Sequence, residues 1–142
     1  MIAFKILAIL IAANAAPLLS ANFCPKKCRR PLDNGRKLTD GNPILGNHKT
    51  LWGLLCGIGA AGILSLFLGL SLPVGLLIAS VSLLGDLLTS FIKRRLGFAE
   101  GETAYLLDHL LEGALPLLIC KGLFSISWSL SFALLMLFVG CG

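Results

Sequence analysis

Apolar residues gather into five runs along this chain, separated by two polar segments and two short turns. The first run covers 2–20 and is broken only by Lys5, Asn14 and Pro17. The others cover about 51–70, 74–92, 104–119 and 123–140. A helix that crosses the hydrocarbon layer needs roughly 20 mainly apolar residues, and a water-soluble core does not require its apolar residues in such unbroken lengths. The pattern predicts an all-α integral membrane protein, one domain over 1–142 folded as a bundle of about five transmembrane helices. Turns fall at Ser71-Leu72-Pro73 and at Lys121-Gly122. The second run carries glycine at 53, 57, 59, 62 and 69, which suits close packing of helices in lipid. A rival reading of 2–20 is a removed leader, with Lys5 as its basic end and the alanine-rich 13–16 as its cleavage site. The apolar run continues through Leu18-Leu19, so we read it as a retained helix.

Composition agrees. Hydrophobic residues make up 56% of the 142 and charged ones 13%, and the mean hydropathy is +0.90. A soluble domain carries about a quarter charged residues. The formal charge of +5 argues for topology rather than nucleic acid, because Lys and Arg sit in connecting segments and not along a polar helix face. Segments 21–50 and 93–103 hold ten of the twelve, leaving only Lys5 and Lys121. Basic loops stay on the cytoplasmic side, so both segments are expected there, with the N-terminus outside and the C-terminus inside. Cysteines stand at 24, 28, 56, 120 and 141. Three lie in or beside apolar runs and act as small hydrophobes. Cys24 and Cys28 lack the second ligand pair that a zinc site needs, so all five are read as structural or incidental.

Asp86 is the most informative residue. It lies in an apolar run, and a carboxylate there costs a few kcal/mol unless paired or metal-bound. Lys93 follows seven residues on, about 10 Å along a helix, so Asp86 lies near the cytoplasmic face. At helical spacing Asp86, Ser90, Lys93 and Arg94 share one side, an alignment of acid, hydroxyl and two cations that suits a metal-bound phosphate. Arg95 stands one position off that side, so exchange for Lys is expected to be tolerated there. Asp108 and Glu112, one turn apart at the start of the next helix, offer further carboxylates. With Asp86 they form a candidate Mg²⁺ site, since magnesium takes few carboxylates, several waters and substrate phosphate oxygens.

The polar segment 31–50 mixes acids, amides and bases between turn residues, and a connection this long in a small protein is usually functional when it is ordered. Its cations and amides suit phosphates, and its Asp and Asn side chains suit a base edge or ribose. Residues 41–50 come near the phosphate-binding pattern G-x-x-x-x-G-K-[ST]. Two residues intervene between Gly46 and Lys49, however, and no strand precedes it.

Several motifs together resemble the CDP-archaeol synthases, small relatives of the phosphatidate cytidylyltransferases. They are Asn14-Ala15-Ala16-Pro17, P-L-D-N-G-R-x-x-x-D-G at 31–41, L-G-N-H-K-T-x-x-G at 45–53, G-D-x-x-x-S-F-I-K-R-R-L-G at 85–97 and L-L-D-H at 106–109. The resemblance spans most of the chain and implies transfer of CMP from CTP to a membrane lipid phosphate, with Mg²⁺ required and pyrophosphate released. The lipid implied is 2,3-bis-O-geranylgeranylglycerol phosphate, whose headgroup phosphatidate shares. By position, Asp86 and Asp108 would be metal ligands, Lys93 and Arg94 would hold phosphates, and Asp33, Arg36, Asp40, Asn42 and Lys49 would help bind CTP. One position departs: the larger family places a second Asp three residues after the first, where this chain has Leu111, and Glu112 is the nearest substitute. Two rivals explain less. The CDP-alcohol phosphotransferases carry D-G-x-x-A-R with two later Asp, whereas Asp40-Gly41 is followed here by Asn42-Pro43. A transporter or scaffold would account for the helices but not for acids and bases collected on one side. The residues specify no oligomeric state.

Overall fold

The computed structural model describes residues 2–23, 30–99, 104–124 and 127–141. They form five α-helices: α1 (Ile2–Phe23), α2 (Leu51–Phe67), α3 (Leu72–Arg95), α4 (Tyr105–Phe124) and α5 (Trp128–Cys141). Each expected run is a helix, but α4 continues through Lys121-Gly122, where a turn was expected, so α5 begins at Trp128 and not near 123. The Cys24 and Cys28 readings, and the end of the second polar segment at 100–103, lie outside the described residues.

The chain makes α2 begin where it does by local chemistry. Thr50 is extended, and its hydroxyl accepts the Gly53 N–H at 3.1 Å, satisfying one of the open donors of a helix start. At α3 a proline takes the first turn, where its missing N–H costs nothing. Small residues then set how closely the helices approach. A Cβ at Gly57 would stand 2.7 Å from the Ala13 carbonyl oxygen, and one at Gly85 would stand 2.5 Å from that of Leu111. Both are closer than real Cβ contacts, so α1–α2 and α3–α4 touch backbone to backbone there. The shared core takes Ile6, Ile9 and Leu10 from α1, Ile78 from α3, Leu117 from α4 and Phe138 from α5.

The outward faces are as apolar as the core. Phe4, Leu18, Phe23, Ile63, Phe67, Leu84, Leu118 and Phe132 are all more than half exposed. Water would penalise a surface of this kind, whereas hydrocarbon is its natural solvent. By length and composition α1 and α3 are long enough to cross a membrane, and α2 and 131–140 are apolar but shorter.

Charge divides between the two ends of the bundle. One end carries segment 30–50, the end of α3 with Lys93, Arg94 and Arg95, and the start of α4 with Asp108. At the other end Lys5 approaches the turn at Gly69, and the Lys121 ammonium lies over the Trp128 ring, 3.4 Å from its centroid.

Candidate active site

Segment 31–50 is built as a compact loop with little regular structure. Asn34 and Gly35 both have positive φ, 51° and 71°, and the Arg36 N–H closes the turn onto the Asp33 carbonyl at 2.9 Å. That geometry is the reason for an Asn-Gly pair at this point. Leu38 donates to the Asn42 carbonyl and Ile44 to that of Arg36, each at 3.1 Å, making a miniature hairpin over 36–44. Leu32 donates to the Lys49 carbonyl at 2.7 Å and closes the base. Asp33 organises the rest. Its carboxylate accepts the N–H groups of Gly35 at 3.0 Å, Leu45 at 2.9 Å and Gly46 at 3.2 Å. Burial alone would raise its pKa, but these backbone donors outweigh it and hold the group below its ordinary value.

The loop delivers Lys49 to Asp86. The ammonium donates to both carboxylate oxygens at 2.5 Å, with about a quarter of each side chain exposed. Glu112, from α4, lines the same cleft as Lys49 and Asp86. Two acids and one cation from three parts of the chain therefore share one spot. Glu112, not position 111, faces Asp86. The Leu111 backbone lies at the tight α3–α4 contact opposite Gly85.

Beside this group runs a polar tie that sequence reasoning did not find. Asn14 donates to the Leu10 carbonyl at 3.0 Å and to the Ser82 hydroxyl at 2.9 Å, and Ser82 donates to the Glu112 carbonyl at 3.0 Å. It links α1, α3 and α4 at the level of the acids. The forewarning was an Asn inside an apolar run, at the head of the Asn14-Ala15-Ala16-Pro17 motif.

A cleft of about 540 Å³ opens onto Asp86 and Glu112. Asn47, His48 and Lys49 form its polar wall, and Leu18, Trp52 and Leu87 are among its apolar lining. It has room and chemistry for a charged headgroup on one side and hydrocarbon on the other.

The remaining expected residues fall elsewhere. Lys93 is buried and donates to both oxygens of Asp108 at 3.0 Å. Asp108 also accepts the Ala104 N–H at 3.2 Å, closing the first turn of α4. Arg94 is buried, donates to the Phe98 carbonyl at 2.5 Å, and has no carboxylate partner among the described residues. Arg36 is exposed. Asp40 accepts from Arg95 and from the Asn42 N–H, and the Asn42 carbonyl also receives Arg95. Arg95 does turn away from Asp86, but it is tied to the loop through Asp40, Asn42 and Pro43, three acceptors that a lysine cannot match, so the expected tolerance of Lys there has no support in its contacts.

The expected convergence of three carboxylates is reduced to Asp86 with Glu112. Among the described residues no three acidic, His or Cys side chains gather closely enough to enclose a metal. Two acids lining one cleft have the chemistry to hold a cation, and in this structure the Lys49 ammonium neutralises Asp86. That donor set fits a magnesium ion that completes its shell with water and substrate oxygens.

An apolar-surfaced helical bundle with a site of paired acids and cations under a polar loop defines a membrane protein equipped to handle phosphates. A family model described as CarS-like, CDP-archaeol synthase, matches residues 2–140. The CDP-archaeol synthase of Hyperthermus butylicus is 39% identical over 128 residues, 83% of this chain and 73% of that protein. That of Aeropyrum pernix is 40% identical over 121 residues, 78% of this chain and 64% of that protein. A solved structure described as an intramembrane enzyme for archaeal membrane lipids biosynthesis superimposes with a TM-score of 0.82 at 31% identity, covering 96% of this chain and 87% of that one. This chain belongs to the CDP-archaeol synthase family.

Proposed function

We propose that this chain is a CTP-dependent cytidylyltransferase that transfers CMP to a membrane lipid phosphate. It thereby makes a CDP-activated lipid for membrane-lipid biosynthesis. Family membership supports the reaction class. The lipid proposed is the isoprenoid ether 2,3-bis-O-geranylgeranylglycerol phosphate. The observation that carries the site assignment is the Lys49–Asp86–Glu112 group at a cleft whose walls change from polar to apolar.

In the reaction a lipid phosphate oxygen attacks the α-phosphorus of CTP in line. A new P–O bond forms, the α–β bridging P–O bond breaks, and its electron pair leaves on pyrophosphate. Such chemistry asks the protein for positioning and charge neutralisation. Magnesium, held by Asp86 and Glu112, would supply positive charge to the phosphate oxygens. Lys49 leaves Asp86 for the triphosphate. Lys93 and Arg94, at the same end of α3, offer further cations, and Asp108 keeps Lys93 in place. Asp33 shapes the loop around CTP, and Arg36, Asp40 and Asn42 stand on its outer hairpin. Leu18, Trp52 and Leu87 keep the lipid chains against hydrocarbon while the headgroup meets the acids.

The chain spans the membrane five times in this reading, with N-terminus outside, C-terminus inside and the site facing the cytoplasm. Support comes from the division of cations between the bundle's ends. The deciding experiment incubates the purified protein with CTP, Mg²⁺ and a panel of lipid phosphates that includes phosphatidate. Formation of a CDP-lipid with equal pyrophosphate is expected, fastest with the isoprenoid ether. No CDP-lipid from any member of the panel refutes the reading.

A further inference from the structure

Arg95 closes α3 nine residues beyond Asp86, about two and a half turns, which sends its side chain to another side of the helix. Its guanidinium reaches the loop hairpin. It donates to the Asp40 carboxylate, to the Pro43 carbonyl at 2.7 Å and to the Asn42 carbonyl at 3.4 Å. The Phe91 ring supports it from α3 itself, with the guanidinium carbon 5.3 Å from the ring centroid. The same loop meets α3 a second time where Lys49 grips Asp86. It is therefore strapped to one helix by two pins, an inner one at the acids and an outer one at the end of α3.

The two pins have different fates. In the reaction above Lys49 must exchange Asp86 for nucleotide phosphate, so the inner pin opens in each turnover. The outer pin involves no group that faces the cleft. We propose that Arg95 is a positioning residue that keeps the nucleotide loop seated on α3 while Lys49 changes partners, without touching substrate. This role rests on the proposed cytidylyltransferase reading. It explains the residue type, because a planar fork can serve a carboxylate and two carbonyls at once, whereas a lysine ammonium is a single point of charge.

The test uses the full chain in detergent and the variants R95K, D40N and their double. Hydrogen exchange of the 36–44 amides without nucleotide reads the clasp directly, and CDP-lipid kinetics read its consequence. R95K is expected to exchange at least about tenfold faster over 36–44 and to raise KM for CTP about tenfold, with kcat within about threefold. D40N should move both in the same direction by less, because the carbonyl contacts survive. The double variant should be no worse than R95K alone, since the two residues act as one unit. Unchanged exchange and KM in R95K overturn the proposal. So does a fall in kcat at unchanged KM, which would place Arg95 on the reacting groups, and so does full additivity in the double variant. If R95K fails to fold, D40N decides, because Asp40 is exposed, and unchanged 36–44 exchange there overturns the clasp. A wild-type protein that makes no CDP-lipid refutes the reaction, while the exchange measurement still judges the clasp.

Discussion

Replacing Lys49 with Met keeps the length and apolar stem of the side chain and removes only the ammonium that bridges the loop to Asp86. In the wild type that ammonium contacts both Asp86 oxygens. The side chains of Lys49 and Asp86 are 27% and 22% exposed. Exposed pairs are worth about 0–1 kcal/mol, and breaking a buried one costs about 3–5 kcal/mol. This pair lies between, so loss of Lys49 should destabilise the acid pair by about 2 kcal/mol. The two consequences have opposite signs. Without Lys49 a divalent cation no longer displaces an ammonium, so Mn²⁺ titrated in the absence of nucleotide should bind more tightly, up to about tenfold. CTP loses a charge-assisted contact worth about 1.5–3 kcal/mol, so kcat/KM for CTP should fall about 10- to 150-fold. Paramagnetic Mn²⁺ detection gives the first quantity and pyrophosphate release the second. Metal affinity that is unchanged or weaker would refute the idea that Lys49 occupies the cation's place. A kcat/KM within about threefold of wild type would refute its role toward phosphate.

Asp86→Asn and Asp108→Asn should each abolish CDP-lipid formation in a protein that still inserts and folds. The first loses a carboxylate at the cation site, and the second releases Lys93. Near-normal turnover in either variant would remove that residue from the site. The Asp33 carboxyl is held below its ordinary value of 3.8 by the loop's own N–H groups. Its contribution to loop order is therefore complete above the ordinary carboxylate range and disappears as pH falls through the lowered value. At pH 7 Asp33→Asn should speed exchange of the Leu45 and Gly46 amides at least about tenfold over wild type, with the difference shrinking in strong acid. Equal rates at pH 7 would sink that account. A membrane-impermeant thiol reagent applied to intact cells should leave Cys24 and Cys28 unlabelled, and ready labelling would invert the topology.

The helices were legible because what makes them is local. A run of apolar residues about as long as the hydrocarbon is thick becomes a helix whatever its neighbours do, since no other backbone form satisfies itself there. Thus 2–20 and 74–92 appear as Ile2–Phe23 and Leu72–Arg95, each longer than its apolar run by a few residues. The collection of charge at one end of the bundle was equally legible, and so was the oddity of Asp86, a single acid in an apolar run that needs a partner and finds one in Lys49. The choice of partners was not. Lys49 meets Asp86 from 37 residues away, and Arg95 meets Asp40 from 55. Helical spacing grouped Lys93 and Arg94 with Asp86, yet Lys93 pairs with Asp108 on α4 and Arg94 turns to the Phe98 carbonyl. Glu112 gains its place beside Asp86 only because Gly85 lets α3 press against the α4 backbone at Leu111. Spacing along a helix says which side a residue occupies. Which group waits on that side depends on how closely the helices pack and where the loop is tied, and both arise only when the chain is folded.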